Sequence, residues 1–207
     1  AEAALDPAEK RALLFEMARI EETERDDPEA AVASVKRVLD LDPDDAEALE
    51  TLTRLFRRHG RWRPLAGVLA RRLERATSEE ARVELRFEIA EVQEKGIGDV
   101  ASAIEAYRDV LELAPGHRPS LDALERLFTQ EEKWSEVIEV YEARVRATTS
   151  PEEAVDLLSR IAGIHEERFG DLQAAAETLI RVLEVEPEHL PAVVGLERIW
   201  RAAGATE

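Results

Sequence analysis

Residues 54–75 gather eight arginines (Arg54, Arg57, Arg58, Arg61, Arg63, Arg71, Arg72 and Arg75) against one carboxylate, Glu74, in a chain whose net charge is −18. Guanidinium groups at this density suit charge-assisted, often bidentate, hydrogen bonds to carboxylates, so the chemistry they offer is capture of an acidic partner. A plainer use competes with it. Glu50 precedes Arg54 by four residues and Asp122 precedes Arg126 by four, the spacing of ion pairs within one helix. Other patterns lead less far. Gly96-Ile97-Gly98-Asp99-Val100-Ala101 has the letters of a dinucleotide fingerprint, but that motif needs a strand before it and a helical pattern stands there instead. Arg168-Phe169-Gly170-Asp171-Leu172 fills the same place 72 residues later, which reads as the turn of a repeat. His165-Glu166-Glu167-Arg168-Phe169 begins like a zinc-protease helix and carries Phe169 where the second histidine would stand; one imidazole does not make a tetrahedral site. His117 and His189 are turn residues 72 apart, and His59 beside Gly60 suits a helix end. No nucleophile elbow or P-loop occurs, and nothing singles out one carboxylate pair. The expectation is a non-enzyme with no catalytic residue, no cofactor and no metal.

The composition narrows the setting. With 207 residues, 44 % of them apolar, the chain has enough material for a sizeable core and too much for disorder. It has no cysteine, which removes disulfides, thiolate metal sites and a thiol nucleophile together. No apolar run approaches the roughly 20 residues that span a bilayer, so no membrane partner is expected. The start, Ala1-Glu2-Ala3-Ala4-Leu5-Asp6, has neither the basic nor the apolar part of a signal peptide. It lacks an initiator methionine, so the chain reads as a processed protein or a piece of a longer one, with a cytoplasmic setting favoured. A pI near 4.7 argues against nucleic acid, whose phosphates such a surface repels. Arginine, alanine, glutamate and leucine dominate and asparagine is absent, a bias that points to a GC-rich bacterial source.

The elements that would position the arginines repeat. Val38-Leu39-Asp40-Leu41-Asp42-Pro43, Val110-Leu111-Glu112-Leu113-Ala114-Pro115 and Val182-Leu183-Glu184-Val185-Glu186-Pro187 follow one another at 72 residues without a gap. Ala31, Ala103 and Ala175 keep that step, as do Val35, Tyr107 and Leu179, then Leu52, Leu124 and Leu196, then Phe56, Phe128 and Trp200. Within each block apolar residues recur at three and four positions, the helical period. Asp6-Pro7, Asp27-Pro28 and Ser150-Pro151 are helix starts, Ser150 with Glu153 forms a capping box, and Gly60, Gly98, Gly170 and Gly204 are helix stops. The pattern predicts eleven helices at 7–25, 28–41, 45–59, 62–77, 79–96, 99–113, 118–131, 134–148, 151–168, 171–185 and 189–203. Most aromatics fall on repeat positions and read as core.

A helix–turn–helix unit of about 34 residues resembles the tetratricopeptide repeat. The second helices carry the likeness: Ala31, Val35, Val38 and Pro43; Ala103, Tyr107, Val110 and Pro115; Ala175, Leu179, Val182 and Pro187. Their first helices bring Phe15 with Ala18, Phe87 with Ala90, and Ser159 with Ala162. The intervening units begin their second helices with Trp62 and Trp134 and end in Thr77 and Thr149 instead of proline. The resemblance implies an all-α fold, a right-handed α-solenoid of antiparallel hairpins. It would form one domain over 1–207, with units at 7–43, 44–78, 79–115, 116–150, 151–187 and 188–207.

It implies that first helices line a concave groove. Glu50, Arg54, Arg57 and Arg58 would face that groove, with Arg126 and Arg198 as repeat equivalents and Arg201 one turn beyond; Ile20, Val92 and Ile164 hold the matching position on alternate first helices. Family members that clamp a C-terminal carboxylate use a Lys/Asn/Arg set, and asparagine is missing here. The function implied is a protein–protein interaction scaffold that offers a concave groove to a peptide or protein, an acidic one on the strength of the arginines. The alternatives are a structural or self-associating segment of a larger repeat protein, monomeric or weakly dimeric, and a helical array that binds a small molecule or acts as an enzyme.

Overall fold

The computed structural model describes residues 6–204, with side chains to residue 202; residues 1–5, read above for a leader, and 205–207 lie outside that range. Among the described residues there are α-helices and turns and no strand. The chain forms two compact units, Ala1–Ala106 and Tyr107–Glu207. The first holds α1 (Pro7–Thr23), α2 (Pro28–Leu41), α3 (Ala46–Arg58), α4 (Trp62–Arg75) and α5 (Glu79–Glu91). The second holds α7 (Arg118–Gln130), α8 (Trp134–Ala147), α9 (Pro151–Ile164), α10 (Leu172–Val185) and α11 (Leu190–Gly204), and α6 (Val100–Leu113) gives residues to both. In the first unit α1 packs on α2, α2 on α3, α3 on α4 and α4 on α5; in the second the same nearest-neighbour order runs from α7 to α11. This is the packing of a helical repeat, where each element is stabilised by its sequence neighbours.

The 72-residue step is exact in the starts of the α-helices, and the local chemistry explains why. The second helices are capped by Asp27, Asp99 and Asp171, whose carboxylates accept from Ala30 N (3.0 Å), Ser102 N (3.1 Å) and Ala174 N (2.9 Å). The next helices are capped by Asp45, His117 and His189, whose side chains accept from Ala48 N, Ser120 N and Ala192 N. The two histidines are therefore imidazole N-caps in the place of an aspartate, each satisfying a backbone donor that the helix leaves without a partner. Burial keeps the His117 ring below the ordinary histidine pKa, and an accepting cap must be neutral. Ser78 and Ser150 cap α5 and α9, whereas Asp6 makes no side-chain cap to α1.

Three expectations change. The capping box at Ser150 forms only by half: Ser150 Oγ accepts from Glu153 N, but the Glu153 carboxylate takes the Thr148 hydroxyl at 2.7 Å instead of returning to Ser150. The helices expected at 79–96 and 151–168 end in wide π turns, Val92–Ile97 and His165–Phe169. These turns close on left-handed Gly98 and Gly170, after which Asp99 N and Asp171 N each reach back six residues to a carbonyl at 2.9 Å. In the first block Asp26 takes that left-handed position with φ 52°, and Glu132 takes the position that Gly60 holds in the preceding block. The third change concerns the aromatics. Phe56 and Phe128 are 3 % exposed, but their equivalent Trp200 is 58 % exposed. Helix α4 follows α3 and α8 follows α7, and no described helix follows α11.

Candidate functional site

Helix α3 buries one stripe, Ala48, Leu49, Leu52, Leu55 and Phe56, against α2 and α4. The opposite stripe carries Glu47, Glu50, Arg54, Arg57 and Arg58, as the helical period requires. The helix is fixed at its start by Asp45, which Arg11 holds with bonds of 2.5 and 3.2 Å. It is fixed at its end by Gly60 at φ 64° and by the Arg61 N to Phe56 O bond of 2.8 Å. Arg57 and Arg58 occupy its last turn, where cations complement the exposed carbonyls.

An open cavity of 660 Å³ lies on this stripe, walled by the five charged residues of α3, Arg72 of α4 and Glu88 of α5. The arginines find their carboxylates on other helices. Arg54 grips Glu22 of α1 through both nitrogens at 2.6 and 2.7 Å, and Arg58 reaches the same carboxylate at 2.9 Å. The Glu22 side chain is only 6 % exposed, and the Arg54 bonds hold its carboxyl below the ordinary range against the opposing effect of burial. Arg57 bonds Glu88 at 2.9 Å. Lower on the unit, Arg61 pairs with Glu29 and Arg75 with Asp44. The intrahelical Glu50–Arg54 pair suggested by spacing is thus replaced by a bridge between helices. Among the described residues, Arg72 has no carboxylate partner; its guanidinium meets only the Thr53 hydroxyl at 3.4 Å. Glu50 lines the cavity without an ion pair.

Glu50, Arg54, Arg57 and Arg58 line this one cavity. The remaining candidates are placed differently. Ile20 is half-buried on α1. Val92 is buried in the apolar core of the first unit and forms the floor of a neighbouring 300 Å³ cavity with Arg57, Trp62 and Glu88. Arg126, Ile164, Arg198 and Arg201 belong to the second unit. There Arg198 grips Glu166 through both nitrogens and Arg201 turns to Glu197 on its own helix at 3.3 Å. Asp122, the partner suggested for Arg126, lies 3.3 Å from Arg144.

Three charged residues of the site escaped the sequence reading, Glu22, Glu47 and Glu88. A signal for the first was present: Glu22, Glu94 and Glu166 keep the 72-residue step of Arg54, Arg126 and Arg198, always 32 residues ahead. The cavity wall carries four arginines, Arg54, Arg57, Arg58 and Arg72, beside the carboxylates of Glu47, Glu50 and Glu88. The carboxyls of Glu22, Asp45, Glu142 and Glu166 are all displaced downward by arginine bonds, the reverse of the shift that makes a general acid. Among the described residues no three His, Asp or Glu side chains gather as a metal site, and no helix is long and apolar enough to cross a membrane.

The profile of the tetratricopeptide repeat family matches residues 84–117 and again 120–155. A tetratricopeptide repeat protein from Parabacteroides merdae shares the fold at a TM-score of 0.51 with 15 % identity, over 94 % of this chain and 74 % of that one. The C-terminal part of a repeat-containing protein of the same kind from Cytophaga hutchinsonii superimposes at 0.51 with 15 % identity, over 93 % and 76 %. None of the curated proteins matches the sequence.

Proposed function

Because the chain belongs to the tetratricopeptide repeat family, whose fold serves generally as a protein–protein interaction scaffold, we propose that its first unit presents the cavity on α3 as a groove for an acidic peptide segment of a partner protein. The observation that carries this reading is Arg72, half-buried in the cavity wall and without a carboxylate partner. A cation in that position gains from a ligand carboxylate without first giving up one of its own. Arg54, Arg57 and Arg58 add positive potential at the rim while remaining anchored to Glu22 and Glu88. Glu47 and Glu50 at the other end select against a run of carboxylates that is too long, since like charges repel.

The test is anisotropy of a fluorescein-labelled peptide of alternating Glu and Ala. Reversing Arg54, Arg57 and Arg58 together would strand the buried Glu22 carboxylate and mix stability with binding, so the informative variants lie elsewhere. Arg72→Gln should weaken binding by roughly tenfold, the worth of one charge-assisted bond. Thr53→Glu should do the same by supplying Arg72 with a carboxylate from within. Unchanged affinity in both variants would sink the proposal. A second reading, self-association, draws on the exposed Leu190, Val194 and Trp200 of α11. Sedimentation at rising concentration separates the two, because a chain that stays monomeric leaves the peptide groove standing alone.

A further inference from the structure

On the side of α3 turned away from the arginines, a smaller cavity of 230 Å³ lies between α2 and the end of α3. Its floor is the buried pair Leu55 and Phe56, its wall is Val32 and Ala33, and its rim carries Lys36 and His59. For comparison, an apolar cavity of about 150 Å³ suffices to take up benzene. Water against such a floor has few polar partners and is displaced at a gain by an apolar group. The rim carries the cations of Lys36 and Arg61 and the one carboxylate of Glu29, in a chain of net charge −18. Arg61, the third basic group there, is committed to Glu29, while neither Lys36 nor His59 has a carboxylate partner among the described residues.

The repeat supplies an internal comparison. Seventy-two residues on, Arg108 stands in the place of Lys36 and Phe128 in the place of Phe56, and the Arg108 guanidinium lies over the Phe128 ring at 5.4 Å. The planar guanidinium covers its aromatic neighbour. Among the described residues Lys36 makes no such contact with Phe56, although the Phe56 and Phe128 rings are buried alike, and its compact, strongly hydrated ammonium stays at the rim.

We propose that this cavity is a second docking site, for a peptide segment that places one bulky apolar side chain against Leu55 and Phe56 and an adjacent carboxylate between Lys36 and His59. The occupant is chosen by complementarity: the floor is apolar, and at the rim, where Glu29 and Arg61 pair with each other, Lys36 is left as the cation without a carboxylate. The site is independent of the Arg72 groove, since the two sets of residues share no side chain and lie on opposite stripes of α3.

The probe is the capped tetrapeptide acetyl-Gly-Phe-Asp-Gly-amide, titrated into the full chain labelled with ¹⁵N. Saturable shifts are expected at the amides of Val32, Ala33, Lys36 and His59, with an apparent Kd of about 1 mM, an affinity of about 4 kcal/mol that suits so small a ligand. The Phe→Ala and Asp→Lys versions of the peptide should each bind several-fold more weakly. Lys36→Glu should weaken the probe several-fold, and Ala33→Phe, which fills the cavity from its wall, should abolish the shifts. Both substituted positions are exposed, so circular dichroism should be unchanged, and both variants should keep the affinity of the Glu/Ala peptide. Absence of saturable shifts at these four amides, or equal binding of the Phe→Ala peptide, overturns the proposal. So does an unaltered titration in both protein variants.

Discussion

Arg72 and Arg144 stand at the same place in successive 72-residue blocks, and their surroundings differ in kind. Arg144 is 15 % exposed and is met by Glu125 at 2.6 Å, Asp122 at 3.3 Å and Glu153 at 3.4 Å, with Tyr141 and Thr148 donating to the same carboxylates. At the corresponding positions around Arg72 stand Thr53, Glu50, Ala81, Leu69 and Ala76, and no ion pair forms. The tryptophans that open α4 and α8 diverge in the same way. Trp134 has the Arg168 guanidinium over its ring at 4.4 Å, while Trp62 rests on the bare backbone of Gly96, where an added Cβ would come within 2.6 Å of the indole. One backbone therefore carries a closed ionic network in the second unit and an open, cation-walled cavity in the first. The difference lies in a few side chains, while α4 and α8 keep the same bounds in their blocks.

The contrast predicts an ordered set of effects. Arg144→Gln should cost about 2–3 kcal/mol in chemical denaturation, because it leaves several partly buried carboxylates facing one another. Arg72→Gln at the same place should cost less than about 0.5 kcal/mol; equal losses would erase the distinction between network and cavity. Gly96→Ala should lower stability by about 1–3 kcal/mol, since the Trp62 ring must move. Gly67→Ala, where nothing lies within 4 Å of the new Cβ, should raise it by about 0.5–1 kcal/mol. Thermal melts of the two variants should move in opposite directions. Glu132→Gly should stabilise by about 1 kcal/mol, because only a non-glycine residue pays for the left-handed conformation, and hydrogen exchange at Lys133 should slow.

The smallest effect is in pH. The folded His117 ring titrates below its unfolded value near 6.5. Its contribution is therefore complete above that value and is lost as the pH falls through the folded pKa, when the unfolded chain binds the proton first. His117→Asp, the cap that the first block already uses at Asp45, should flatten stability measured between pH 7 and 5.

The helices were legible because the apolar period repeats in every block and is punctuated by starts at Asp27 and Ser150 and by stops at Gly98 and Gly170. Their exact ends were less so. A π turn differs from an α turn by one hydrogen-bond step, and neither Val92–Ile97 nor His165–Phe169 carries a residue that marks it. The arginine cluster of α3 was legible from the sequence, and its placement on one face followed from the family resemblance. Its partners were not, since a guanidinium reaches a carboxylate one turn away on its own helix or across to the next with equal ease. The fold brings Glu22 to Arg54 at 2.6 Å, while spacing pointed to Glu50. Arg72 was visible as one basic residue among eight. That it lacks a carboxylate partner depends on Thr53 standing where Glu125 stands later, a relation between helices that sequence order hides.

The exact recurrence of caps and turns also makes the chain a cassette. Excising residues 44–115 and joining Pro43 to Gly116 puts each residue at the splice into a turn whose backbone its predecessor already adopted. A shortened chain built this way loses α3 with its arginines, so the groove proposed for recognition is removed as one block.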